Sequence, residues 1–191
     1  MQFDHFEIVG IAIEAGLSIM DVYDSSVQIE VQSKDDDSPL TKADIAAHKT
    51  IIRGLSTINP EVPVVSEEGR VGDPKKSELA WLVDPLDGTK EFIKRNGMFT
   101  VNIALMKRMG PQWKPIFGVV HAPVNRTTWL GGVDVPATKI TDAETSEISV
   151  KKQTSTQPRL VASGSHRAER DEKFARELGD HELVRLSLIH I

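Results

Sequence analysis

Hydrophobic and polar positions repeat with two different periods in the first third of the chain, and each period predicts a different element. Over residues 5–22 apolar residues recur every three or four positions, which predicts an amphipathic helix. Its apolar stripe is formed by Phe6, Val9, Ile13, Leu17 and Met20. Over 27–32 apolar and polar residues alternate, which predicts a half-exposed strand, followed by a polar loop over 33–39. A second amphipathic helix begins near Lys42 with Thr41 as its N-cap. Its stripe is formed by Ile45, Ile51, Ile52 and Leu55.

The rest of the chain consists mostly of apolar strands separated by turn residues. Strands are predicted over 62–65, 79–83, 99–106, 116–120, 127–130, 160–162 and 182–186. Short helices are predicted over 87–92 and 168–178, and Gly179 closes the second one. Residues 134–157 are polar and rich in Thr and Ser, which favours a connecting segment. Two helices, then mostly antiparallel strands, then a β–α pair indicate a layered α/β sandwich.

Composition excludes several classes of protein. With 191 residues, 39% of them hydrophobic, the chain can bury a core without disulfides or a structural metal. It contains no cysteine, which excludes a disulfide scaffold, a thiolate metal site and a cysteine nucleophile. A net charge of −5 and 5% aromatic residues are not typical of a protein that binds a nucleic-acid polymer. No apolar run reaches the ~18 residues of a membrane span. Asp4 and Glu7 lie where a signal peptide carries cations, so we expect a cytoplasmic protein.

Two pairs of acidic residues follow apolar strands and are the first candidates for chemistry. Glu67 and Glu68 follow one predicted strand, and Asp84 and Asp87 follow another. Strand ends are where a rigid scaffold passes into a loop that can carry a site. Several carboxylates gathered in a partly dry place repel one another unless a cation lies among them. The two pairs therefore favour a metal site.

Pro85 shapes the second acidic segment. The strand before it is expected to end at Asp84 and Pro85, because proline fixes φ and lacks an N–H donor. The resulting turn can bring the carboxylates of Asp84 and Asp87 to one point, with the Leu86 carbonyl between them. Carboxylate and carbonyl oxygens are hard ligands that suit Mg²⁺ or Mn²⁺.

The residues after Asp87 are typical of a phosphate site. Gly88, Thr89 and Lys90 open a predicted helix, whose first amides and dipole can hold a phosphate oxygen. Metal ligands directly before such a segment favour metal-assisted hydrolysis of a phosphate ester. The structural alternative is that the aspartates are turn and cap residues and that 67–69 is a polar turn. Each motif taken singly fits that alternative, but their combination favours the site.

Residues 81–92, WLVDPLDGTKEF, resemble the signature of the inositol monophosphatase superfamily. The resemblance continues through the segments 40–44, 67–68, 102–104, 118–120 and 163–166. It implies an α/β fold of the inositol monophosphatase/fructose bisphosphatase type. This fold is a layered αβαβα sandwich, and its second α/β half is expected to be incomplete in this chain.

The resemblance also implies roles for individual residues. The implied metal ligands, for two or three Mg²⁺ ions, are Glu67, Asp84, Asp87 and the Leu86 carbonyl. The implied catalytic residues are Glu67, Asp44 and Thr89, the last two orienting the attacking water. The implied substrate-binding residues are Glu67, Leu86, Asp87, Gly88, Thr89, Ser163 and His166. Glu68 is a weaker candidate. Lys90 and Arg95 could meet a second phosphate, or could simply be surface residues.

Two segments resemble one branch of the superfamily, the 3′(2′),5′-bisphosphate nucleotidases. These are GTKEF at 88–92 and SGSHR at 163–167, whereas inositol phosphatases more usually carry Thr and Asn at positions 90 and 91. The branch implies a Li⁺-sensitive, Mg²⁺-dependent phosphatase of sulfate assimilation. It would convert 3′-phosphoadenosine 5′-phosphate, or the sulfated form, by removing the 3′-phosphate. The alternatives are an inositol or sugar phosphate phosphatase and an inactive fragment that only binds metal and phosphate.

One departure from the family concerns its further metal-binding aspartate, which lies in a C-terminal Trp-Asp motif. None of Trp81, Trp113 and Trp129 is followed by Asp, so we expect a C-terminally truncated chain that could lack activity. The expected division is an N-terminal subdomain 1–133 with the site, a connecting segment 134–157, the start of a C-terminal α/β subdomain 158–185, and a foreign tail 186–191. A homodimer and a peripheral position at the inner membrane are left open.

Overall fold

A computed structural model of the chain describes residues 4–25, 31–33, 39–150, 158–163 and 169–186. It divides the chain into two units, Met1–Ile148 and Ser149–Ile191. The helices described in the first unit are α1 (His5–Tyr23), α2 (Lys42–Ile58) and α3 (Thr89–Ile93). The strands described there are β1 (Val31–Ser33), β2 (Pro39–Thr41), β3 (Val64–Ser66), β4 (Gly69–Val71), β5 (Leu79–Asp87), β6 (Thr100–Met109), β7 (Gln112–Ala122), β8 (Thr127–Gly132), β9 (Val135–Ile140) and β10 (Thr145–Glu147).

Helix α1 has the predicted span but buries a different face. The Asp4 side chain caps it by accepting a hydrogen bond from the amide of Phe6. The fully buried positions are Ile8, Ala12, Ala15 and Ile19. Phe6 and Leu17, part of the predicted stripe, are 59% and 61% exposed, and Ile13 is also exposed. The predicted stripe was right at Val9 and Met20, which lie in or against the core, and wrong at Phe6, Ile13 and Leu17. The helix carries a second apolar stripe, which contains the small alanines and packs inward.

Helix α2 begins as predicted, with Thr41 as its N-cap. The Thr41 hydroxyl accepts a hydrogen bond from the Ala43 amide, and the Asp44 carboxylate accepts one from the Thr41 amide, in a capping box. Its buried side chains are Ala43, Asp44, Ala47, Ile51 and Leu55. Ile45 is exposed and Ile52 is half-buried, so the inward face is narrower than the predicted stripe.

An eight-stranded sheet forms the centre of the first unit. Its strand order is β10-β9-β8-β7-β6-β5-β3-β4. The β3–β5 pair is parallel, and the other neighbours are antiparallel. Helix α1 packs on β6 and β7, and α2 packs on α1 and β5, so the apolar core lies between these helices and the sheet. The mixed sheet with packed helices confirms the predicted α/β layering.

The chain around Pro85 differs from the prediction. Strand β5 does not end at Asp84 but continues to Asp87 through a bulge. Asp84 lies opposite Asn102 and Asp87 opposite Thr100, so β5 has one residue more than β6 in this stretch. Pro85 lacks an N–H for the ladder, and a bulge is where a strand tolerates this. Proline therefore bends the strand without ending it.

Two further segments contain strands that the pattern did not indicate. Strand β4 turns back on β3, so Glu67 and Glu68 form the tip of a tight hairpin. Strands β9 and β10 extend the sheet within 134–157, where a segment without strands was expected. β10 is the edge strand at this end of the sheet, and β9 lies between it and β8. Neither sequence has the strong apolar alternation that would have indicated a strand. Of the strand predicted over 27–32, the structure describes only its end, in β1.

The second unit contains a β–α–β arrangement, as predicted. Strand β11 (Arg159–Ser163), helix α4 (Glu169–Glu177) and strand β12 (Glu182–Leu186) follow one another, and the two strands pair in parallel. Gly179 has a φ of 77°, which suits a glycine just after a helix. Of the predicted tail 186–191, only Leu186 lies within the described residues, as the last residue of β12. None of the helices described is long and apolar enough to cross a membrane.

Candidate metal and phosphate site

The β5 bulge places Asp84, Leu86 and Asp87 close together. The Leu86 amide donates a hydrogen bond to Asp84 Oδ1 over 3.3 Å, which tightens the turn between the two aspartates. Leu86 is 2% exposed and packs into the core, so its side chain anchors the turn. Both aspartates are half-buried, at the sheet end nearest α3. The predicted convergence of these residues arises from a bulge within a strand.

Asn102 is a site residue that the sequence analysis did not single out. The side-chain nitrogen of Asn102 donates to Asp87 Oδ2 over 3.0 Å, and its side-chain oxygen Oδ1 accepts from the buried Thr100 hydroxyl over 3.1 Å. This chain of hydrogen bonds fixes the carboxylate of Asp87 in one orientation. In the sequence, Asn102 looks like any other polar position in the alternating pattern of β6. Only the register with β5 brings it to the site.

The tip of the β3–β4 hairpin places Glu67 beside the end of β5. The Glu67 amide donates to the Val83 carbonyl over 3.0 Å, directly before Asp84. Burial, then the negative charges of Asp87 and Glu67 and a hydrogen bond with Glu67, together raise the pKa of Asp84 to about 7. Burial also raises the pKa of Asp87, against the lowering effect of its hydrogen bond from Asn102. The three predicted carboxylates therefore interact electrostatically.

This donor set suits Mg²⁺. Within the described ranges, no three Asp, Glu or His side chains are gathered closely enough to hold one ion between them. Mg²⁺ does not need such a cage, because it usually takes one or two carboxylates and retains water molecules. Asp84 and Glu67 share a hydrogen bond and repel each other when both are ionised, which a bound cation would relieve. The residues present therefore fit the predicted metal.

Asp44 and Thr89, 45 residues apart, meet beside the aspartate turn. The Thr89 hydroxyl lies 3.2 Å from Asp44 Oδ1 and 3.2 Å from the Leu86 carbonyl oxygen, and it can donate to either. Asp44 Oδ2 accepts from the Thr41 amide over 2.8 Å and from the Thr41 hydroxyl over 2.6 Å. Asp44 is 1% exposed, and this burial raises its pKa against the lowering effect of these hydrogen bonds. The predicted catalytic pair is therefore in contact.

Gly88 allows the turn into α3. Its φ is 96°, and a side chain there would begin 2.8 Å from the Met98 carbonyl oxygen, so only glycine fits. Helix α3 starts at Thr89, two residues later than predicted, and has five residues. A helix this short has a small dipole, so phosphate binding at 86–89 depends on the individual amides. Phosphate binding by this segment remains a prediction.

The remaining predicted site residues are exposed or lie outside the described residues. Ser163 ends β11, but its side chain, like the whole of His166, lies outside the described residues. Lys90 is exposed at the first turn of α3. The guanidinium of Arg95 lies 4.7 Å from the centre of the Tyr23 ring, which gives it a structural contact.

The family of the chain is established by comparison with known proteins. The inositol monophosphatase family matches residues 4–187, and the chain belongs to this family, whose members are metal-dependent phosphatases that generally use Mg²⁺. Two similar relatives are both named 3′(2′),5′-bisphosphate nucleotidase CysQ. The one from Salmonella typhimurium is 43% identical over 186 residues, covering 92% of this chain and 70% of the relative. The one from Escherichia coli K12 is 44% identical over 182 residues, with the same coverage.

Solved structures agree with this family. The CysQ of Bacteroides thetaiotaomicron, described as a bacterial member of the inositol monophosphatase family, has 31% identity and a TM-score of 0.78. The match covers 95% of this chain and 72% of that one. An inositol monophosphatase of Thermotoga maritima, with a TM-score of 0.74 and 22% identity, shares the fold. These matches confirm the predicted family and fold class.

Proposed function

We propose that this chain is a 3′(2′),5′-bisphosphate nucleotidase. It hydrolyses the 3′-phosphate of 3′-phosphoadenosine 5′-phosphate, or of its sulfated form, with two or three Mg²⁺ ions that share Glu67, Asp84, Asp87 and the Leu86 carbonyl as ligands. The names of the relatives at 43% and 44% identity support the substrate class. The observation that carries the reaction is the hydrogen bond between Asp44 and Thr89, next to the turn that carries Asp84 and Asp87.

Asp44 and Thr89 form a relay for the proton of the attacking water. When the Thr89 hydroxyl donates to Asp44, its oxygen keeps its lone pairs for a hydrogen bond from water. As the water attacks phosphorus, its proton passes to the Thr89 oxygen, and the Thr89 proton passes to Asp44. Burial makes Asp44 a stronger base than an exposed aspartate, because it raises the pKa of the carboxyl. The leaving 3′-oxygen takes up a proton from solvent water, and Asp44 later releases its proton to solvent, so that the relay returns to its starting state.

Bound Mg²⁺ supplies charge stabilisation for the ester oxygens and lowers the pKa of a water molecule. Asn102 keeps one oxygen of Asp87 engaged and thereby orients the other. The main chain from Leu86 to Thr89 is proposed to hold the phosphate that is removed. Ser163 and His166 are proposed to contact the nucleotide, on the strength of their family positions. The proposal includes two or three Mg²⁺ ions, inhibition by Li⁺ and a cytoplasmic location.

Phosphate release from the bisphosphate nucleotide and from inositol 1-phosphate, measured with Mg²⁺ over the same concentration range, tests the substrate. We expect a higher kcat/KM for the nucleotide. Faster hydrolysis of inositol 1-phosphate would instead assign the chain to the inositol phosphatases. Asp84→Asn should abolish turnover and leave the fold intact, and substantial remaining activity would reject the metal assignment. Calorimetric binding of the nucleotide without turnover would support a protein that only binds its ligand.

A further inference from the structure

His48 contacts the hairpin that carries Glu67, although neither the sequence pattern nor the proposed reaction assigns it a role. Its Nδ1 lies 2.9 Å from the Ser66 hydroxyl oxygen, within hydrogen-bond distance. A side chain at Gly69 would begin 3.7 Å from Nε2, so the imidazole extends from one side of the turn to the other. His48 is half-buried at this contact, which partly shields the bond from water.

Ser66 links His48 to the tip of the hairpin through a second hydrogen bond. Its hydroxyl oxygen accepts a hydrogen bond from the Glu68 amide over 3.3 Å. On the other side of the same tip, the Glu67 amide donates to the Val83 carbonyl. The main chain of Glu67 is therefore held between strand β5 and the pair formed by His48 and Ser66. Strands β3 and β4 have three residues each, and β3 also pairs with β5, so the hairpin is short and lies against the strand that carries Asp84.

Helix α2 carries both His48 and Asp44, four residues apart and therefore one turn apart on the same side. Asp44 reaches Thr89, and His48 reaches Ser66. One rigid helix thus contacts both the proposed proton relay and the segment with the proposed metal ligand. We propose that His48 is a positioning residue, which holds Glu67 at a defined place relative to Asp44 through Ser66. This inference rests on the proposed metal role of Glu67.

Mg²⁺ affinity of the whole chain, measured by calorimetry, tests this inference without relying on turnover. His48→Leu and Ser66→Ala should each raise the Mg²⁺ dissociation constant about tenfold, as loss of groups that orient metal ligands typically does. His48→Asn keeps a polar atom near the position of Nδ1, so its dissociation constant should stay within about threefold of wild type. The double variant should be no weaker than the weaker single variant, because both remove the same bond.

Ser77→Ala is the matched control for Ser66→Ala. The Ser77 hydroxyl also accepts the amide two residues ahead, that of Leu79, over 3.2 Å, in a turn without predicted ligands. Its Mg²⁺ affinity should equal that of wild type. Unfolding temperatures of all variants identify any that fail to fold, and His48→Asn and Ser66→Ala carry the test if His48→Leu is one of them.

Two different failures can be told apart. If Asp84→Asn binds Mg²⁺ as well as wild type, the proposed metal site is wrong and the role of His48 falls with it. If Asp84→Asn loses binding while folded Ser66→Ala and His48→Leu keep wild-type affinity, the metal site stands and the positioning role is rejected. Failure of His48→Asn to restore affinity would likewise reject a role through the hydrogen bond to Ser66.

Discussion

Replacing Asp44 by Asn should stop catalysis while preserving the local structure. The amide oxygen of Asn can take the place of Oδ2 and accept both hydrogen bonds from Thr41. The amide nitrogen then faces the Thr89 hydroxyl, which must accept where it previously donated. The Thr89 proton turns to the Leu86 carbonyl, which is already 3.2 Å away. The hydrogen bonds of Thr89 therefore reverse their direction, and each polar group keeps a partner.

The magnitudes follow from the same contacts. Loss of a general base costs a factor of about 10²–10⁴ in rate, or about 3–5 kcal/mol of transition-state stabilisation. The effect on stability should be small, because two opposing changes partly cancel. Hydrogen bonds to a charged group, worth about 1.5–3 kcal/mol each, become neutral ones of about 1 kcal/mol. The unfavourable burial of the charge, visible in the raised pKa of Asp44, disappears at the same time. We expect a net change in the free energy of unfolding within about 1 kcal/mol.

Steady-state phosphate release and urea unfolding, both at pH 7.5, measure the two quantities. Asp73→Asn is a suitable control, since Asp73 also caps a helical turn, by accepting from the Lys75 amide, and lies outside the predicted site. It should retain wild-type kcat/KM. A folded Asp44→Asn with more than about one third of the wild-type kcat/KM would refute the relay. Thr89→Ser and Thr89→Val provide a second test, in which only the serine variant should remain active.

Three further predictions concern the surroundings of the site. Asn102→Ala removes the donor to Asp87, so it should weaken Mg²⁺ binding about tenfold in calorimetry, and unchanged affinity would reject this orienting role. Gly88→Ala forces a φ of 96° on alanine next to a main-chain carbonyl and should cost about 2–3 kcal/mol in urea unfolding. Gly110→Ala, at a φ of 64° in open space, should cost less, and equal costs would contradict the close approach at Gly88. Burial lowers the pKa of His121 to about 4, so protonation opposes folding. Stability present above pH 6.5 should fall by about 3 kcal/mol as the pH drops through 4. His121→Asn should reduce this loss, and an identical pH dependence would disprove it.

Local patterns were sufficient for much of the fold and for the part of the candidate site around Pro85. The 3.6-residue period predicted α1 and α2, and apolar runs bounded by turn residues predicted the long strands β6 and β7. Thr41 was recognised as a cap because capping depends on residues within one helical turn. Asp84, Leu86 and Asp87 were recognised as a group because Pro85 confines a few neighbouring residues, and such a constraint is written into the local sequence.

Features that depend on packing could not be read from the pattern. Helix α1 has two apolar stripes, and only contact with α2 and the sheet selects the one with Ala12 and Ala15. Pro85 predicted the end of a strand, yet pairing with β6 carries β5 through it as a bulge. The buried face of α1 and the course of β5 at Pro85 could not be predicted from the local sequence, because each depends on partners distant along the chain.

The sequence by itself determined which chemical groups this protein has available. Oxygen ligands, a glycine turn and a threonine follow one another over a few residues, and the order of the motifs identifies the family. Tertiary structure decided how those groups act on one another. Asp44 meets Thr89, Asn102 meets Asp87 and His48 meets Ser66 only after helices and strands far apart in the chain have packed. Hydrogen bonds and buried charges act over a few ångströms, so their partners exist only in the folded chain.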